Sequence, residues 1–449
     1  MTPKAMLLSL IQLACFATAT PAPAGAAVPP RGQSLTIPVR ANPHHVPDGP
    51  AELAAAYRRW NMPVPEGLKT HLLARRAGYS GKSPPSPLNQ TAGIAPAAST
   101  ANNDAWLSEI YLGTPDAQPV SVKIDSGVSD FWLFSTDTQF PKSIATASRP
   151  NLYDPSKSQA SQELQDFSWN LTDDDTSSVS GKVYFDNLRI GEVTDQNWFN
   201  ITNATIQSAV DATGHFAVDQ TGLGGVLGIA KSGPSSVQPT MPTMMDRLKQ
   251  DLHYPSICAD LRHNSSLGFF DFGSGRSGDS AALVDEPPVP GSPHWDFRVA
   301  RFRLTSMADG VWWSAPFSAT VDTGSNLLLI PGQLVALYYA EIPGATFDPS
   351  LRAWLFPCNI ASGIPDFEFA TTGGFNGTLP KEYINLGPVS SNDGKCFGGI
   401  QPSGNDHGIF GGVVLKTMYV QFNFGDTGSF VSFGPKGLDV CSLTNTCKL

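Results

Sequence analysis

SVKIDSGVSDFWLFS, residues 121–135, ends a strand-like apolar run in a carboxylate, Asp125, and follows it at once with Ser126 and Gly127. A carboxylate is costly to bury unless its surroundings use it. Taken once, Asp-Ser-Gly is ordinary turn chemistry. The chain writes the pattern a second time as FSATVDTGSNLLLIP, residues 317–331, where an apolar run ends in Asp322-Thr323-Gly324 and then resumes. The copies lie 197 residues apart. Each is followed by an apolar-apolar-Gly element, Val226-Leu227-Gly228 in the first half and Ile409-Phe410-Gly411 in the second. An internal repeat of this kind predicts two related β lobes about a pseudo-two-fold axis, with Asp125 and Asp322 meeting near it.

Two adjacent carboxylates do not both ionise easily, so one keeps a proton in acid. The ionised member can then take a proton from a water, while the protonated member polarises a substrate carbonyl. Gly127 and Gly324 permit a tight turn under each carboxylate, and the hydroxyls of Ser126 and Thr323 can bond across the axis. No metal or organic cofactor is needed for this chemistry, and no Cys/His spacing suggests zinc.

Composition narrows the rest. The chain of 449 residues has 42 Gly, 38 Pro, 15% charged residues and a net charge of -10, the profile of a loop-rich, mostly β protein. Such a surface repels phosphate backbones and anionic lipid, which argues against nucleic-acid or membrane partners. Residues 1–20 read as a signal segment, with Lys4 before AMLLSLIQLACFATA and an A-x-A site at Ala19. Export fits the cysteines. Without Cys15 five remain, so one thiol stays free, and Cys258 in SICADL has the character of a buried apolar residue. Cys358 with Cys396 could close a long loop, and Cys441 with Cys447 a short one. Sequons at Asn89, Asn170, Asn200, Asn203, Asn264 and Asn376 point to glycosylation.

Residues 21–98 differ in texture from the rest of the chain. A basic, helical stretch, DGPAELAAAYRRWNMPVPEGLKTHLLARRAG, lies in Pro/Ser/Ala-rich text, as expected of a removable prosegment, with a solvated extension as the alternative. Short β-rich runs then fill an N-terminal lobe over 99–285 and a C-terminal lobe over 286–449. Helices are expected at TMPTMMDRLKQDL and PGQLVALYYAEI.

These motifs, together with YDPSKS, SSVQP, DLRHN leading to FDFG, and CFGGIQPSG, resemble the pepsin-like aspartic proteases, specifically the secreted fungal penicillopepsin and aspergillopepsin branch. The resemblance covers nearly everything after residue 100. It implies a bilobal fold with the cleft between the lobes and catalysis by Asp125 and Asp322. It also implies a disulfide between Cys358 and Cys396, and a monomer whose own prosegment inhibits it. GPAELAAAYRRW resembles the branch's inhibitory segment, which would set Arg59, or else Arg58, against the dyad.

Three departures qualify the likeness. Val128 replaces a hydroxyl that normally supports the first Asp, whereas the second motif keeps its counterpart in Ser325. In the flap run WNLTDDDTSSVSG, residues 169–181, Asp173 takes the place of the family's tyrosine and Asp174 that of the next glycine. Asp175 and Ser177 fit the fungal pattern, and Trp132 stands where the tyrosine would find its partner. Gly412 takes the place of an Asp. The reading is therefore a secreted, acid-active aspartic endopeptidase acting on peptide or protein substrates. Two alternatives stay open: a narrow-specificity or non-proteolytic relative acting on a peptide-like fungal metabolite, and a weakly active peptide-binding protein on the same scaffold.

Overall fold

The structure is a computed structural model that describes residues 35–41, 48–79, 106–140, 151–173, 177–192, 197–218, 222–263, 267–273, 283–306, 311–360, 363–389, 394–425 and 428–436. The signal segment, much of the prosegment linker, Asn89, Asp174, Asp175, Asn264, Cys441 and Cys447 lie outside these residues. Among the described residues no helix is long and apolar enough to cross a membrane.

Each half builds the same interlock of strands, which gives the bilobal β architecture expected from the repeat. In the first, Gln118–Asp125 runs parallel to Gly225–Gly228, which lies antiparallel to Phe131–Gln139. In the second, Trp313–Val321 runs parallel to His407–Phe410, which lies antiparallel to Leu328–Ile330. The later strand thus slots between the two strands flanking each Asp loop. The apolar-apolar-Gly elements make this possible. A Cβ on Gly228 would stand 2.6 Å from the carbonyl oxygens of Val128 and Asp130, and one on Gly411 would stand 2.6 Å from those of Ser325 and Leu327. Only glycine lets the crossing strand approach so closely. Matching hydrogen bonds close both crossings: Gly228 N–H donates to Asp130 O at 3.0 Å, and Gly411 N–H to Leu327 O at 3.0 Å.

A 14-stranded sheet contains strands from both halves, with Ser256–Asp260 pairing Met418–Asn423. Trp295, 1% exposed, adds a side-chain tie, its indole N–H donating to Ile229 O at 2.9 Å. The expected helices appear as Met244–Asp251, opened by a Thr243/Asp246 capping box, and Gly332–Ala340. Cys358 and Cys396 form the disulfide, and Cys258 is a buried thiol outside it.

The N-terminal strand Leu35–Ala41 is part of the large sheet, pairing with Leu267–Phe272 and with Trp106–Leu112. The helix Gly49–Arg59 comes next, its first turn capped by the Asp48 side chain and stiffened by Pro50. Tyr57 anchors it by donating to Pro402 O at 2.8 Å, and Gly49 packs against the Phe397 ring. Residues 35–41 and 48–60 are thereby built into the body of the fold.

One core group opposes stability in acid. His263 stacks on Tyr383 at 3.7 Å, and burial, with Lys416 adding to it, pushes its imidazole from 6.5 down to about 4. The unfolded chain therefore binds a proton that the folded chain refuses between those values. Stability is lost as pH falls from about 6.5 to about 4, by up to about 3 kcal/mol. Replacing His263 by Phe is expected to remove that loss. Chemical denaturation of both proteins at pH 7 and pH 4 checks it, and a wild-type-to-variant difference that does not change with pH would count against the assignment.

Candidate active site

The two Asp loops face each other at the crossing of the halves, and both carboxylates are fully buried. Each Asp closes its own turn: Gly127 N–H donates to Asp125 Oδ1 at 2.9 Å, and Gly324 N–H to Asp322 Oδ1 at 2.8 Å. The turns then lock across the axis. Ser126 N–H donates to Thr323 Oγ1 at 2.9 Å, and Thr323 N–H donates to Ser126 Oγ at 3.0 Å. Each hydroxyl in turn donates beneath the opposite loop, Ser126 to Val321 O at 3.0 Å and Thr323 to Ile124 O at 2.8 Å. Four reciprocal bonds of this kind fix one loop against the other without using either carboxylate. Cβ atoms on Gly127 and Gly324 would meet the opposite Asp's carboxylate at 2.8 and 2.2 Å, so any larger residue would wedge the pair apart.

The support is uneven. Ser325 Oγ donates to Asp322 Oδ2 at 2.5 Å, whereas Val128 packs with the apolar cluster around Trp132 and Phe134. Burial raises the Asp125 carboxyl above the ordinary carboxylate range. Arg59 and Lys123 oppose that shift, and the Asp322 charge reinforces it.

The outer face of the pair is occupied by the chain itself. Arg59 donates through Nη1 to Asp125 Oδ2, and its Nε lies 3.7 Å from Asp322 Oδ2. One guanidinium thus faces both carboxylates. Burial opposes its charge, but Asp125 and Asp322 more than restore it and raise the guanidinium further. Trp60 completes the cover, its indole N–H donating to Asp322 Oδ2 at 3.0 Å.

The flap is a hairpin of Trp169–Thr172 against Ser178–Glu192. Its Trp169 stacks on Trp132 at 6.3 Å. Asp173 turns to His215, Oδ2 to Nε2 at 2.9 Å, and the backbone N–H of His215 donates to Ser177 Oγ at 3.2 Å. Asp173 also contributes to holding the Arg59 charge, so it stands within electrostatic reach of the dyad's occupant. The partly buried Asp173–His215 pair is expected to couple by about 0.5–1 kcal/mol in a double-mutant cycle with Asp173→Ala and His215→Ala, read by thermal unfolding. Additive variants would show that the pair does not hold the flap.

Trp60, His215 and His294, which borders Trp60, were not legible as site residues. Trp60 had one signal, its place next to Arg59; the two histidines had none. The sequon residues Asn170, Asn200, Asn203 and Asn376 are exposed. Among the described residues no cluster of His, Cys, Asp and Glu could hold a metal ion.

With this geometry in place, comparisons with known proteins agree on one group. The family model for eukaryotic aspartyl protease matches residues 105–434. Endothiapepsin of Cryphonectria parasitica is 30% identical over 439 residues, covering 92% of this chain and 96% of that one. Penicillopepsin-3 of Penicillium janthinellum is 31% identical over 420 residues, with the same coverage. Aspergillopepsin-1 of Aspergillus oryzae is 31% identical over 369 residues, covering 80% and 88%.

Proposed function

Because this chain belongs to the eukaryotic aspartyl protease family and is an aspartic-type endopeptidase, we propose that it is a secreted, acid-active enzyme made as a zymogen. Residues 21–98 are its prosegment, and Asp125 and Asp322 are its catalytic pair. The observation that carries this reading is the single guanidinium of Arg59 reaching both carboxylates. Each carboxylate also lies against the opposite loop's glycine, so both face the place that Arg59 fills and that a water would take once it leaves.

In that reaction the ionised carboxylate takes a proton from water as the oxygen attacks the peptide carbonyl, and the protonated partner donates to the carbonyl oxygen. The cross-axis hydroxyls of Ser126 and Thr323 meet the ordering cost in advance. Ser325 donates to Asp322, a support that the first loop lacks at Val128. Latency comes from the same geometry. Arg59 stays charged throughout the working range, so protonating the pair in acid removes its partners and favours release of the helix Gly49–Arg59. No step draws on a metal or organic cofactor, and the released enzyme works as a monomer in solution.

The test is cleavage of a peptide library at pH 3–5 by enzyme released from the full chain, with and without a statine-type inhibitor. Cleavage of many extended peptides, blocked by the inhibitor, supports the proposal. Inhibitor binding without turnover would make the chain a binding protein. Turnover of one compound only would favour the narrow-specificity reading, to which the Asp173–His215 flap gives its one specific support.

A further inference from the structure

Lys123 stands two residues before Asp125 on the strand Gln118–Asp125. Strand side chains alternate between faces, so Lys123 and Asp125 leave the same face, about 6.6 Å apart along the strand. From there the Lys123 Nζ crosses to the other half and donates to Gly324 O at 3.1 Å. The acceptor is a neutral carbonyl, so this bond leaves the ammonium charge intact.

Gly324 is the residue of the second loop that meets both acids. Its N–H donates to Asp322 Oδ1 at 2.8 Å, and a Cβ there would stand 2.2 Å from Asp125 Oδ2. Lys123 therefore holds, from the first half, the residue against which the two carboxylates are set. A lysine so placed brings both a tether and a charge.

The other charges around the pair come from four elements. Arg59 comes from the prosegment helix and Asp322 from the second loop. The flap adds Asp173, which acts on Arg59. His294 borders Trp60 and senses Asp322, while burial holds its imidazole below the usual range. At Asp125 itself burial raises the carboxyl. Arg59 opposes that most, Asp322 adds to it, and Lys123 and the Gly127 N–H pull it down. Of the two cations, Arg59 belongs to the prosegment. Lys123 belongs to the catalytic body and stays when the prosegment leaves.

We propose that Lys123 is a positioning residue of the catalytic pair, a resident cation that tethers Gly324 across the axis and sets the pH range of the released enzyme. The inference rests on the proteolytic reading above and deepens it by naming what places that range. A nearby cation favours each more ionised state of a coupled pair, so its loss raises both steps of the pair's titration. Activity that needs one proton on the pair then moves to higher pH at both edges.

The test is the pH profile of kcat/KM for enzyme released from the full chain, in wild type, Lys123→Met, Lys123→Gln and Lys123→Arg. Met keeps the length without charge or donor, Gln keeps a donor without charge, and Arg keeps both. Both limbs are expected to move up by about half a unit to one unit in the Met and Gln variants, since solvent screens part of a half-buried charge. They are expected to stay in place in Lys123→Arg. A profile lowered in height with its limbs unmoved would reduce Lys123 to a tether and overturn the inference. Limbs that move in Lys123→Met but not in Lys123→Gln overturn it too, as do limbs that move equally in all three variants. If the wild type cleaves nothing, the proteolytic reading fails separately. A ¹³C NMR titration of the aspartate carboxyls then reads the pair without turnover. Higher midpoints in the two neutral variants support the inference, and unchanged midpoints overturn it.

Discussion

Replacing Asp322 by Asn is expected to lower kcat/KM on any cleaved peptide by about 10³-fold or more, with little change in unfolding free energy. The size reflects what the amide cannot do. It neither accepts the water's proton nor shares one with Asp125, and general acid–base participation is worth about 10²–10⁴-fold. The site then also lacks the negative charge that made the pair titrate as a unit. The fold tolerates the change because the surrounding bonds can be kept. The amide oxygen accepts from Gly324 N–H, while Ser325 Oγ turns from donor to acceptor for the amide nitrogen. Neither cross-axis hydroxyl touches the Asp322 side chain; Ser126 and Thr323 bond only to each other's loops. Steady-state kinetics and denaturation on the same preparation read both quantities. Residual activity within about tenfold of wild type would remove Asp322 from the reaction.

Replacing Arg59 by Met in the full-length chain is expected to abolish latency near neutral pH. The side chain keeps most of its length and loses the charge that spans the pair. Two buried carboxylates would then lie beneath the prosegment with Lys123 as the remaining nearby cation, whose Nζ is committed to Gly324 O at 3.1 Å. Removing one partner of a buried ion pair costs about 3–5 kcal/mol, equivalent to about 10²–10³-fold or more in the closed state. Binding of a statine-type inhibitor to the unprocessed chain at pH 6 measures this directly. The wild type should bind poorly, Arg59→Met should bind tightly, and Arg59→Lys should fall between, since it keeps a charge but not the planar fork. Equal inhibitor binding by wild type and Arg59→Met would show that Arg59 does not hold the site shut. The contacts of Tyr57 and Gly49 do not involve Arg59, so they remain as the helix's other anchors but are not expected to keep it over the dyad against the inhibitor.

The repeat itself was open to reading before any coordinates. Asp-Ser-Gly and Asp-Thr-Gly, each ending an apolar run and each answered by an apolar-apolar-Gly element, are short local patterns. Every residue in them is demanded by its own turn or its own crossing. That is why the β class and the equivalence of the halves were legible, together with the helices at Met244–Asp251 and Gly332–Ala340. The family-like placement of Cys358 and Cys396 also marked a disulfide that the structure contains. Val128 could be seen to lack a hydroxyl, though not that its side chain joins an apolar cluster instead.

What the chain determined by itself was therefore the chemistry of each loop: two carboxylates, their glycines and hydroxyls, and a basic residue waiting upstream. Tertiary structure alone decided who meets whom. Asp173 found His215, and Trp60 found His294 across more than two hundred residues. No spacing rule connects such partners, because their distance is fixed by how strands cross and helices dock. Local pattern encodes what a side chain can do; packing over long separations chooses what it does it to.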